Sequence, residues 1–245
     1  MIPRVTGVKM AGHSKWANIK HKKAKEDASR GKAFTKLSKD ITVCAKEAGD
    51  VHTNPRLRTL VEKARHLNMP LDNIKRAIQK GTGELQGVAY EQHVYEGYGP
   101  SATAVIVEML TENKNRAIAE LRHVFSRKGG TIGENGCVNW MFNKKGVVKA
   151  TGTLSEDQML EALLDYDIDD ISKDEDFCSI ICAIKDLEHV KQKVTASGMK
   201  VESAEIEWVA KDKIAIAPED EEKVMDFLSA IDELDDVQNV YSNAG

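Results

Sequence analysis

A chain of 245 residues that is 41% hydrophobic and 30% charged can bury a sizeable core, and it does not have the composition of a disordered or fibrous polypeptide. Its longest apolar runs, such as AVIV at residues 104–107, fall far short of the ~18 residues a membrane helix needs, so no membrane partner and a cytoplasmic location are expected. The net charge of −4 hides a strong gradient: residues 1–80 carry 19 Lys and Arg against 7 Asp and Glu, whereas residues 151–245 carry 8 against 25.

The opening MIPRVTGVK lacks the apolar centre of a secretory signal and reads as an upstream start before Met10. Residues 15–25 then hold five lysines and no acid. A solvated helix face interleaves both signs, so this cluster points to phosphate contacts. Phe34, Leu37, Ile41, Cys44 and Ala48 recur at helical spacing and predict a helix that stops at Gly49. Asn54 followed by Pro55 starts another, with Leu57, Leu60, Val61, Ala64 and Leu67 on its apolar face. Pro70 opens a third, which Gly81 is expected to end. Residues 13–80 therefore read as a helical bundle.

Beyond Gly83 the period changes. YEQHVYEGYG and ATAVIVEMLTE read as paired strands joined through Gly99 and Pro100. A helix follows, capped by Asn113, with Ile118, Leu121, Val124 and Phe125 inward and Gly129 and Gly130 at its end. The next run is strand GVVKATG, helix SEDQMLEALLDYD, strands DDISK and FCSIICAI, helix KDLEHVKQKVTASG and strand KVESAEIEWV. That βαββαβ order makes a four-stranded sheet with two helices on one face. Helix PEDEEKVMDFLSAIDEL and strand VQNVYS close the chain. They have no partners nearby in sequence, so they are assigned to strands 90–111, which turns 146–208 into an insertion.

The motifs for chemistry are weak. Cys44, Cys137, Cys178 and Cys182 form no CxxC pair and read as reduced thiols; Cys178 and Cys182 fall on one face of a strand, which suits packing rather than zinc. Asp165, Asp167 and Asp169 begin like a calcium loop, but Asp170 stands where the glycine belongs. SRKGGTIGENG could wrap its amides around a phosphate, yet it lacks the order of a nucleotide-binding loop and reads as a turn. No GxSxG or HExxH is present. No catalytic residue, metal site, cofactor or small-molecule substrate is assigned, and the chain is not read as an enzyme. An adaptor whose acidic half meets a basic protein partner is the reading from another class.

The blocks MAGHSKWANIKHKKAKEDASRGKAFTKLSKDI, NPRLRTLVEKARHLNMPLDNIKRAIQKGTGE, YEGYGPSATAVIVEMLTENKNRAIAELRHVFSRKGGTIGENGCVNWMF and the late EWVA resemble, in the same order, the YebC family, which includes the mitochondrial translational activators of cytochrome c oxidase. The resemblance covers Met10 to the C-terminus and implies three domains. The expected fold is thus α+β and multidomain: a basic helical bundle at 10–82, an α/β domain from 83–145 plus 209–245, and an acidic βαββαβ domain at 146–208, both α/β domains being ferredoxin-like and the second inserted in the first. The implied function is that of a non-enzymatic, DNA-binding transcriptional regulator. The alternative is a translation factor that contacts RNA at the ribosome. Either role needs phosphate contacts, assigned to Lys15, Lys20, Lys22, Lys23, Lys25, Arg30, Lys32 and Lys36; Trp16 and His21 among them are candidates to stack on an unpaired base, Trp16 suiting a core anchor equally well.

Overall fold

The computed structural model describes residues 27–174 and 177–245. Three helices come first: α1 (Asp27–Ala45), α2 (Pro55–His66) and α3 (Leu71–Thr82). Their apolar faces meet in one core built on Leu37, Ile41, Cys44, Leu57, Val61, Ala64 and Ile74. Asn54 organises two of the helices at once. Its side-chain oxygen caps α2 by accepting from the Leu57 N–H at 3.0 Å, and its amide donates to the carbonyls of Cys44 and Ala48 just where α1 ends. Taking up those carbonyls lets α1 finish at Ala45, earlier than the expected stop at Gly49.

The end of α3 also differs from expectation. Gly81 lies inside the helix, where a Cβ would sit 2.4 Å from the Thr42 carbonyl of α1. It is glycine because two helix backbones approach there, and the Thr42 hydroxyl donates across the same gap to the Ala77 carbonyl at 3.1 Å. The left-handed residue that stops α3 is Gly83, at φ 82°.

Two four-stranded antiparallel sheets follow. The first has the order β3-β1-β2-β8 and contains β1 (Glu91–Tyr98), β2 (Ala104–Thr111), β3 (Thr131–Ile132) and β8 (Val237–Ser242). Helix α4 (Lys114–Arg127), capped by the Asn113 side chain as expected, and helix α7 (Pro218–Asp232) cover one face. Phe125 of α4 and Phe227 of α7 meet edge-to-face, with centroids 5.0 Å apart, over Val105, Val107 and Met109. As the sequence pattern indicated, the last strand pairs with β2, Val105 opposite Ser242. The two-residue β3, set against Gly97 and Tyr98, is too short to leave a periodic signal.

The second sheet has the order β5-β6-β4-β7, from β4 (Phe142–Thr151), β5 (Ile168–Asp174), β6 (Phe177–Cys182) and β7 (Lys200–Ala210). Helices α5 (Glu156–Ala162) and α6 (Leu187–Ala196) pack on one face, with Cys178 and Cys182 both in the core beneath them. Strands β4 and β7 both run past the expected boundaries at 145/146 and 208/209, pairing from Phe142 opposite Ala210 to Thr151 opposite Lys200. The first residue of this ribbon, Phe142, packs on the uncovered face of the first sheet with Ala104, Ile106 and Tyr241, while Val148 and Ala150 serve the second core. Trp208 of β7 donates to Glu108 of β2 at 3.1 Å, and Asn239 and Tyr241 of β8 donate to the same carboxylate. The chain therefore crosses between sheets as a paired ribbon, not through a loop.

Candidate nucleic-acid interface

Of the expected phosphate contacts, Lys15, Lys20, Lys22, Lys23 and Lys25, together with Trp16 and His21, lie outside the described residues, and Arg30 enters only as a backbone position on α1. Lys32 and Lys36 are described, and the structure brings them together with Lys39 as a stripe along α1. Lys32 donates to the Glu233 carbonyl at 3.1 Å; Lys36 donates to the Asp232 carbonyl at 2.9 Å and to its carboxylate at 3.2 Å. Those carbonyls lie at the C-terminus of α7, the negative end of its dipole. Cations are attracted there for the same reason they are attracted to phosphate.

Lys39 goes further in. It is 8% exposed, and its ammonium reaches Asp236 Oδ1 at 2.6 Å and the Asp235 carbonyl at 2.8 Å. The Asp236 carboxylate also accepts from the Thr111 hydroxyl at 2.8 Å and from Arg116 at 3.1 Å. Burial pushes its pKa up, but those three hydrogen bonds outweigh it and hold the group below the ordinary carboxylate value.

A second contact joins the bundle to the other sheet. Lys63 of α2 meets Glu205 of β7 at 2.5 Å, beside Asp40 of α1. Burial, with Glu205 adding to it against the pull of Lys63, raises Asp40 to about 6. The Lys63 ammonium loses solvation, yet attraction to Glu205 leaves its pKa raised.

The rest of the bundle surface is basic. From residue 55 to 82 the exposed Lys and Arg are Arg56, Arg58, Arg65, Lys75, Arg76 and Lys80, against only Glu62 and Asp72 among exposed acids. This face was not singled out from sequence, although the charge count contained it.

The Gly-rich loop after α4 does wrap its amides around an anion, and the anion is internal. Glu96 of β1, buried, accepts from the N–H groups of Gly136, Val138 and Asn139, each at 2.8 Å. Those amides are therefore committed to a carboxylate of the same chain.

Two comparisons with known families fit this arrangement. The description "TACO1/YebC protein N-terminal domain" matches residues 14–84, and "TACO1/YebC second and third domain" matches residues 90–244. The chain belongs to the TACO1/YebC family. Relatives named "Probable transcriptional regulatory protein" include one from Nitrosococcus oceani, 48% identical over 96% of each chain, and one from Thermotoga maritima, 46% identical over 96% of this chain and 93% of its own. A crystal structure described as a conserved hypothetical protein from Aquifex aeolicus is similar at a TM-score of 0.85 and 41% identity, over 94% of this chain and 96% of that one.

In this TACO1/YebC chain, the lysines of α1 thus meet the C-terminal end of α7 and the carboxylates of Asp232 and Asp236. Lys63 apart, the basic residues of α2 and α3 are exposed instead. Among the described residues no group of three or more His, Cys, Asp and Glu is placed to hold a metal ion, and no helix is long and apolar enough to cross a membrane.

Proposed function

We propose that this chain is a nucleic-acid-binding regulator of gene expression that acts on DNA without catalysis, through its basic N-terminal domain. The observation that carries this reading is the separation of charge. Net positive charge of +12 over residues 1–80 stands against −17 over residues 151–245, and the exposed faces of α2 and α3 are basic as well. A field of that sign on one end attracts a polyanion and turns the acidic remainder away from it. The names of the relatives support a regulatory role.

We assign three units to the chain: the bundle at 10–82, an α/β unit from 83–145 with 209–245, and an acidic βαββαβ unit at 146–208 joined to it by the β4–β7 ribbon. The acidic units leave room for a basic protein partner, and the location is cytoplasmic.

Titration of duplex DNA across a salt series tests the reading. Replacing Lys20, Lys22, Lys23 and Lys25 by Ala flattens the slope of log K against log salt by roughly three to four units, since each neutralised phosphate contributes about 0.9. An unchanged slope removes the cluster from the interface.

A further inference from the structure

The loop closed on Glu96 presents a tryptophan to solvent. Trp140 is 62% exposed, an unusual placement for the side chain with the largest apolar surface. It is nevertheless fixed in position. Its indole N–H donates to the Cys137 carbonyl at 3.1 Å, and the hydroxyl of Tyr98, 36% exposed on β1, donates to the same oxygen at 3.1 Å. Two aromatic side chains therefore meet at one acceptor. The backbone that carries the acceptor is held on both sides, because Glu96 binds the N–H groups of Gly136 and Val138. Nothing in the packing of either core needs Trp140 to be there: the buried residues of this junction are Val138 and Phe142 on either side of it.

Positive charge accompanies the pair. The ammonium of Lys211 sits on the Trp140 carbonyl at 2.7 Å and has further N–H groups to donate. Lys144, exposed on β4, lies 4.8 Å over the Trp208 ring. Immobilised aromatic faces beside ammonium groups are what a single strand requires, since an unpaired base offers a free π-face and a phosphate follows it. A duplex hides its base faces and gains nothing from a surface indole.

We propose that Trp140 and Tyr98 form a stacking platform for an unpaired base of single-stranded nucleic acid, with Lys211 and Lys144 meeting its phosphates. The site is distinct from the basic bundle, and it rests on the nucleic-acid reading above.

The test uses the full chain, a fluorescently labelled oligo-dT of about fifteen nucleotides and a duplex of equal length, read by anisotropy at low salt. Trp140→Ala weakens the single strand roughly tenfold and leaves the duplex within twofold. Trp140→Phe, which keeps a ring but loses the N–H, retains most of the single-strand affinity. Unlabelled oligo-dT quenches tryptophan emission in the parent chain and quenches it less in Trp140→Phe, which also reports on a site in a variant whose fold is least disturbed. Equal losses on both ligands, or none on either, overturn the platform. If the parent binds duplex with the expected salt slope while Trp140 is neutral, only the platform fails. If the parent binds neither ligand, both readings fail.

Discussion

Two of the contacts between the bundle and the α/β body are built on opposite balances. At the first, Asp236 is surrounded by donors, one ammonium, one hydroxyl and one guanidinium. At the second, burial of Asp40 outweighs the pull of Lys63, Arg56 and Lys36, and Glu205 adds to the rise. A buried charge that is fully hydrogen-bonded is costly to disturb, whereas one short of donors favours its neutral form. The same ingredients, lysine against acid across helix and sheet, thus give a weld in one place and a strained seam in the other.

The largest effect is expected from the weld. Lys39→Ala leaves Asp236 buried with its ammonium gone and costs about 3–5 kcal/mol in urea unfolding. Pairing it with Asp236→Leu recovers part of the loss, since the orphaned charge is then removed too. A single mutant within 1 kcal/mol of the parent would mean the pair is hydrated. Because Asp236 titrates below its ordinary value, its contribution is present above the unfolded pKa and is lost only as pH falls through the lower folded one.

The seam responds with the opposite sign. Asp40 titrates near 6 in the fold against an ordinary 3.8, so the folded state binds its proton more tightly than the unfolded state does. The penalty of ionising it is fully present above about pH 6 and disappears as pH falls toward 4. Asp40→Asn is accordingly expected to raise stability at pH 7 by about 3 kcal/mol and to do far less at pH 4, as thermal melts at the two pH values would reveal. Equal shifts at both would locate the effect elsewhere.

Glu205→Gln sharpens the contrast. Its pair with Lys63 is more than a third exposed on both sides, so stability changes by less than about 1 kcal/mol. Removing its charge lets Lys63 act on Asp40 alone, so the Asp40 titration, followed by carboxyl NMR, moves downward. The smallest change belongs to Lys32→Ala, which removes one exposed contact to a helix-end carbonyl and costs only a few tenths of a kcal/mol. A loss of several would make Lys32 part of the weld.

Local signals in the chain were sufficient where the cause is local. Asn54 and Asn113 cap the helices their spacing announced, and Cys178 and Cys182 share a buried face because strand geometry requires it. Gly81 and Gly83 show where such signals stop. Both are glycines at a helix end, and only the approach of Thr42 from α1 distinguishes the one that lets backbones touch from the one that turns the chain. Trp140 gave no periodic signal at all, since its exposure follows from a loop tied to Glu96 some forty residues earlier.

What the sequence determined by itself is the longer helices and strands, the pairing of the last strand with strands 90–111 and the gradient of charge, because periodicity, capping and composition act within a few residues or sum over many. What only the tertiary structure decided is the use of each charge. Lys36 and Lys39 meet Asp232 and Asp236 across 196 and 197 residues of chain, and a lysine carries no mark that separates a phosphate contact from a helix-end contact. Both partners offer it negative oxygen, and folding chooses between them by distance.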